Sequence, residues 1–105
     1  MWEVRYLKAA VADLEKLDRS QRIVVIKKIN QVAENPLPQK EGGYGVPLGS
    51  RSGADLTGYC KIKLLKLGIR VVYRLEKSEG TMKIIVVSAR ADDEVYRLAT
   101  KRIQK

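Results

Sequence analysis

The sequence predicts an α+β fold with elements in the order βααβββα: an N-terminal helical hairpin packed on a small, mainly antiparallel twisted sheet, closed by a C-terminal helix. Three observations carry this expectation. Apolar residues recur at three- and four-residue steps between Leu7 and Ala33 and again after Asp92, which is helical spacing. Between Gly58 and Ser88 they alternate with polar residues or run together in short β-rich segments broken by Gly-containing turns. An aperiodic stretch rich in Gly, Pro and Ser separates the two regimes. A chain of 105 residues has room for one core, so a single domain spanning 1–105 is expected and function must share its surface.

Each element has its own warrant. Trp2 to Leu7 alternates and reads as a short first strand. Leu7, Ala10, Val11, Leu14 and Leu17 then form an apolar stripe, with Lys8, Asp13, Glu15 and Lys16 on the remaining circumference of a first helix. Asp18-Arg-Ser-Gln21 resembles a capping box, and Ile23, Val25, Ile26, Ile29, Val32 and Ala33 continue a second helix until Asn35-Pro36 stops it. Residues 36–57 show no period and are expected to be one long loop. Lys77-Ser-Glu-Gly80 marks a turn before Met82–Ser88, the most apolar strand and therefore expected at the centre of the sheet. Asp92 or Asp93 can cap the last helix, whose stripe is Val95, Leu98, Ala99 and Ile103, with Tyr96, Arg97, Lys101 and Arg102 around it.

Residues 58–73 carry the most chemistry. With a two-residue turn at Leu67-Gly68, Lys66 faces Ile69, Lys63 faces Val72 and Lys61 faces Arg74. Directly paired residues share a face, so Lys61, Lys63, Arg70 and Arg74 project together, opposite Ile62, Leu64, Val71 and Tyr73. Four cations on one face repel one another unless an anion or water screens them. The hairpin is thus a candidate polyanion surface, with ordinary solvated cations on an exposed sheet face as the competing explanation.

Composition narrows the chemistry further. Lys and Arg number 21 against 12 Asp and Glu, and the net charge of +9 favours nucleic acid, an anionic membrane or an acidic partner. With no His and one Cys, the sequence excludes Ser-His-Asp and Cys-His triads, His-zinc sites, Cys-cluster metal sites and an internal disulfide. Cys60 reads as a small buried hydrophobe. No signal peptide and no apolar run of membrane-spanning length is evident, so a cytoplasmic protein is expected.

Three stretches, taken with the element order, carry a resemblance: Tyr59-Cys-Lys-Ile-Lys63, Gly68-Ile-Arg-Val-Val-Tyr73 and Ser88-Ala-Arg-Ala-Asp-Asp-Glu-Val-Tyr96. Across nearly its whole length the chain resembles the RelE branch of the RelE/ParE toxins of bacterial and archaeal toxin-antitoxin pairs. The resemblance implies an endoribonuclease that cuts messenger RNA in the ribosomal A site, inhibits translation and is neutralised by a cognate antitoxin. It implies no metal and no small-molecule cofactor. It places a catalytic set of two lysines, two arginines and a tyrosine on Lys61, Lys63, Arg70, Arg90 and Tyr96, all present in this chain. Arg74 and Lys66 are expected to support RNA binding. The segment from Gly42 to Gly58 is longer than the corresponding loop in compact RelE toxins. Two alternatives on the same residues are a ParE-like gyrase inhibitor and a non-catalytic RNA-binding module.

The expected reaction is attack of a ribose 2′-hydroxyl on the adjacent phosphate, giving a 5′-hydroxyl and a 2′,3′-cyclic or 3′-phosphate end. Free Lys and Tyr titrate near pH ~10, so a neutral-pH general base must be tuned by burial or neighbouring cations. Bringing a Lys down to about 7 takes roughly 4 to 5 kcal/mol. Lys61 or Lys63, with Tyr96, is the candidate for proton removal, and Arg70 and Arg90 suit the phosphate because a guanidinium presents a planar fork.

Overall fold

In a computed structural model, residues 2–51 and 54–103 are described. Strand β1 (Glu3–Tyr6) leads into helices α1 (Lys8–Glu15) and α2 (Arg19–Val32). Strands β2 (Val46–Arg51), β3 (Ala54–Leu64), β4 (Ile69–Glu76) and β5 (Thr81–Ser88) follow, and helix α3 (Asp92–Ile103) ends the described chain. The sheet order is β1-β5-β4-β3-β2, parallel only between β1 and β5. The expected α+β architecture is present with one strand more than the sequence predicts. That strand, β2, lies inside the supposed loop of residues 36–57, and β3 starts at Ala54 rather than Gly58. Its sequence, Val-Pro-Leu-Gly-Ser-Arg, hides it: Pro and Gly disfavour strands in general and are tolerated at an edge such as this one.

The helical hairpin follows the sequence closely. Asp18 caps α2 by accepting the Gln21 backbone N–H at 2.9 Å, and this bond with the Ser20 hydroxyl holds its carboxyl below the usual range. Arg22 donates to the Leu14 and Leu17 carbonyls, each at 3.0 Å, and so supplies side-chain donors to the backbone where α1 ends. The stripe departs from expectation at Val11 and Ile23, which are exposed. Asp13, assigned to the polar circumference, is buried instead.

Two apolar cores sandwich the sheet. One packs Ala10, Leu14, Val25 and Ile29 against Ile62, Val71, Tyr73 and Ile84. The other packs α3, through Val95, Tyr96 and Ala99, against Leu56, Tyr59, Val72, Ile85 and Val86. Strand β5 serves both faces and carries a bulge. Val72 pairs Val86 but Tyr73 pairs Ile84, which leaves Ile85 as the extra residue and turns Ile85 and Val86 toward the same core. The most apolar strand is therefore interior, between β1 and β4, while β4 holds the central position.

Strand β1 stops at Tyr6, so the later half of β5 has no neighbouring strand on that side. Side chains complete the edge. Asp13 accepts the Val87 backbone N–H at 3.0 Å, and Arg102 donates to the Ile85 carbonyl at 2.8 Å. The two side chains also form a bidentate pair at 2.7 and 3.0 Å, tying the C-terminal end of α3 to α1 and β5.

Candidate active site

The hairpin that positions the cations has a different register from the expected one. Leu64 pairs Ile69 across a four-residue turn, so Lys61 faces Val72, Lys63 faces Arg70 and Tyr59 faces Arg74. Gly68 makes this turn with φ of 67°, a conformation that disfavours other residues. The slip is two residues, one full period of side-chain alternation, and the cations keep their common face. That face is not open along its length, because α3 covers its middle over Val72.

Five of the expected residues gather at one end of the covered face. Lys63 and Arg70 are directly opposed, and Arg70 is opposed on its other side by Ser88 of β5. An Arg70 guanidinium N–H donates to the Arg90 backbone carbonyl at 3.0 Å, and the Arg90 backbone N–H donates to the Ser88 hydroxyl at 3.1 Å. Lys61 donates to the Tyr96 hydroxyl at 3.1 Å and lies 5.8 Å from the ring centroid. Tyr96 itself is only 2 % exposed, so its ring belongs to the α3 core while its hydroxyl meets the lysine. This juxtaposition joins residues 35 positions apart.

Arg74 and Lys66 fall elsewhere. Arg74 sits over the Tyr59 ring at 5.9 Å, four register pairs beyond Arg70, and faces Lys83 of β5. Lys66 is exposed in the turn. Ser88 was within a quoted motif but had no assigned role; its signal is its place at the end of β5, opposite an arginine.

On the other face Cys60 is buried beside Tyr73, and burial raises its thiol above the usual range. Tyr73 donates to the Pro36 carbonyl at 2.7 Å, and burial raises its phenol far above the usual range. Among the described residues, no group of three or more His, Cys, Asp or Glu could hold a metal ion, and no helix is long and apolar enough to cross a membrane.

A family model described as the ParE toxin of type II toxin-antitoxin systems (parDE) matches residues 4–94. The chain belongs to the RelE/ParE toxins. Its further likenesses mark it as RelE-type. A curated Escherichia coli protein described as RelE-like is 25% identical over 103 residues, covering 98% of each chain. A free-state structure of E. coli RelE with two arginines replaced by alanine superimposes with a TM-score of 0.72 at 27% identity, covering 97% of each chain. The same double variant bound to an antitoxin RelB peptide matches with a TM-score of 0.68 at 26% identity, covering 96% of each chain. The chain is thus a type II toxin whose α+β fold is that of RelE.

Proposed function

We propose that this toxin is a ribosome-dependent endoribonuclease that cuts translated messenger RNA without a metal and is held inactive by a cognate antitoxin. The observation that carries the reading is the contact between Lys61 and Tyr96 beside the opposed Lys63 and Arg70. Tyr96 is anchored in the core of α3 and fixes the direction of the Lys61 amine, so Lys61 is the better placed of the two lysines for proton removal. In its neutral form Lys61 takes the 2′-hydroxyl proton; the 2′-oxygen bonds phosphorus as the bond to the 5′-oxygen breaks. Arg70 and Lys63 stabilise the charge that gathers on the phosphate oxygens. Arg90, exposed just beyond β5, supplies positive charge for the departing 5′-oxygen, which takes its proton from water.

Such a centre depends on substrate positioning, which ribosome-bound messenger supplies, and a protein of charge +9 is drawn to ribosomal RNA. The antitoxin partner is carried over from the relative seen with its RelB peptide. A second reading, gyrase inhibition, has in its favour the ParE description of the matching family model.

Induction in cells with mapping of transcript ends separates the readings. Cuts inside translated codons that vanish in Lys61→Ala and Arg90→Ala are expected. DNA damage without such cuts would establish the gyrase reading, and salt-steep RNA binding without new ends would reduce the protein to a binding module.

A further inference from the structure

A cleft of about 530 Å³ lies against the two site lysines, walled by α2, the segment before β2 and strand β3. Lys28 and Gln31 line it from α2, Gln39 and Tyr44 from the connecting segment, and Lys61 and Lys63 from β3. Val32, Val46 and Ile62 supply apolar lining, and no Asp or Glu lines it. It lies where β2 leaves β3 after the pair Val46–Lys61, so the stretch from Ile62 to Leu64, paired with β4 on one side, has no strand on its other side among the described residues.

Tyr44 is the feature that needs explaining. It is 60 % exposed, yet its backbone is fixed. Its N–H donates to the Asn35 carbonyl at 2.9 Å, Gly45 donates to Leu37 at 2.9 Å, and Gln39 donates to Gly45 at 2.8 Å. Both neighbours are glycines for steric reasons: a Cβ on Gly43 would collide with the Leu37 carbonyl, and one on Gly45 with the Tyr73 hydroxyl. The segment therefore holds an aromatic ring in solvent on a rigid mount, at the rim of a basic cleft. A ring presented in this way offers a face to a planar apolar group, and the cations around it select an anionic carrier of that group.

We propose that the cleft is a nucleobase subsite for single-stranded RNA. The base beside the scissile phosphate stacks on Tyr44, its edge hydrogen-bonds to Gln31 and Gln39, and Lys28 holds the flanking phosphate. The proposal takes its substrate from the endonuclease reading and makes this cleft the source of sequence preference at the cut.

The test measures anisotropy of labelled 2′-O-methyl RNA hexamers, which bind without being cut, on the purified chain. Loss of one base stack is worth about 1–3 kcal/mol, so Tyr44→Ala is expected to weaken binding roughly 5- to 150-fold. Tyr44→Phe should stay within about twofold, because the stacking face is kept. The slope of affinity against salt should be unchanged in Tyr44→Ala and shallower in Lys28→Ala, since only the latter removes a phosphate contact. Gln31→Ala with Gln39→Ala should flatten the ranking of A, C, G and U hexamers. Wild-type binding that Tyr44→Ala leaves intact, equal losses in Ala and Phe, or absence of hexamer binding by the wild type each overturns the subsite. Tyr44-dependent binding by a protein that makes no cuts in translated messages upholds the subsite and overturns the endonuclease reading instead.

Discussion

The two ends of α3 are fastened in opposite ways. At its C-terminal end Arg102 meets Asp13, and both partners also satisfy backbone groups of β5. Near its N-terminal end Tyr96 meets Lys61, and the charges around that contact, Lys63 and Arg70, have the same sign. A buried opposite pair with every neighbour hydrogen-bonded is how a fold accommodates charge. Cations gathered on one sheet face raise a local positive potential that draws polyanions. One end of the helix holds the fold, and the other borders the proposed catalytic centre.

Substitutions break this contrast in a graded series. Lys61→Ala should lower RNA cutting by about 10²- to 10⁴-fold, the range for a general base, while urea unfolding moves little. Loss of folding with this variant would place Lys61 among the structural residues. Asp13→Ala should do the reverse, costing about 3–5 kcal/mol in urea unfolding, because it leaves the Arg102 charge and the Val87 N–H without their partner. A cost under about 1 kcal/mol would mean that the pair contributes no more than an exposed one.

Tyr96→Phe keeps the core packing and removes the hydroxyl that meets Lys61, so about 0.5–1.5 kcal/mol in stability is expected, with a fall in cutting that shows whether the hydroxyl aims the amine. The smallest effect concerns the opposite face. Burial raises the Cys60 thiol, so the unfolded chain ionises first and the folded state loses stability as pH climbs above the free thiol value of about 8.5. Unfolding midpoints between pH 8 and 10 should fall less steeply in Cys60→Ala than in the wild type.

Much of this was legible from local signals. The Asp18 cap and the Asn35-Pro36 stop act within a few residues, and the structure places α2 between them. The cationic face could be read despite the wrong register, because a two-residue slip restores side-chain alternation. The gathering of Lys61, Lys63, Arg70 and Arg90 near Tyr96 followed from the family motifs rather than from spacing. Asp13 was misread because its partner is 89 positions away and its period is that of a surface residue. Strand β2 and the Tyr44 mount were hidden by Gly and Pro, which in isolation signal a loop. The Ile85 bulge has no signature in a strand that is apolar on both sides.

The way the sheet ends has a consequence for colloidal behaviour. Met82-Lys-Ile-Ile-Val-Val87 combines β-propensity, apolar character and the absence of Pro, the composition that drives cross-β association when such a segment finds a free edge. The backbone edge of its later half, which β1 does not reach, is closed by one carboxylate and one guanidinium rather than by a strand. The outer strand at the other margin carries Pro47, which cannot donate to an added chain. The Asp13–Arg102 pair is therefore a guard against self-association as well as a fastener, and a chain that loses it is expected to precipitate before it unfolds.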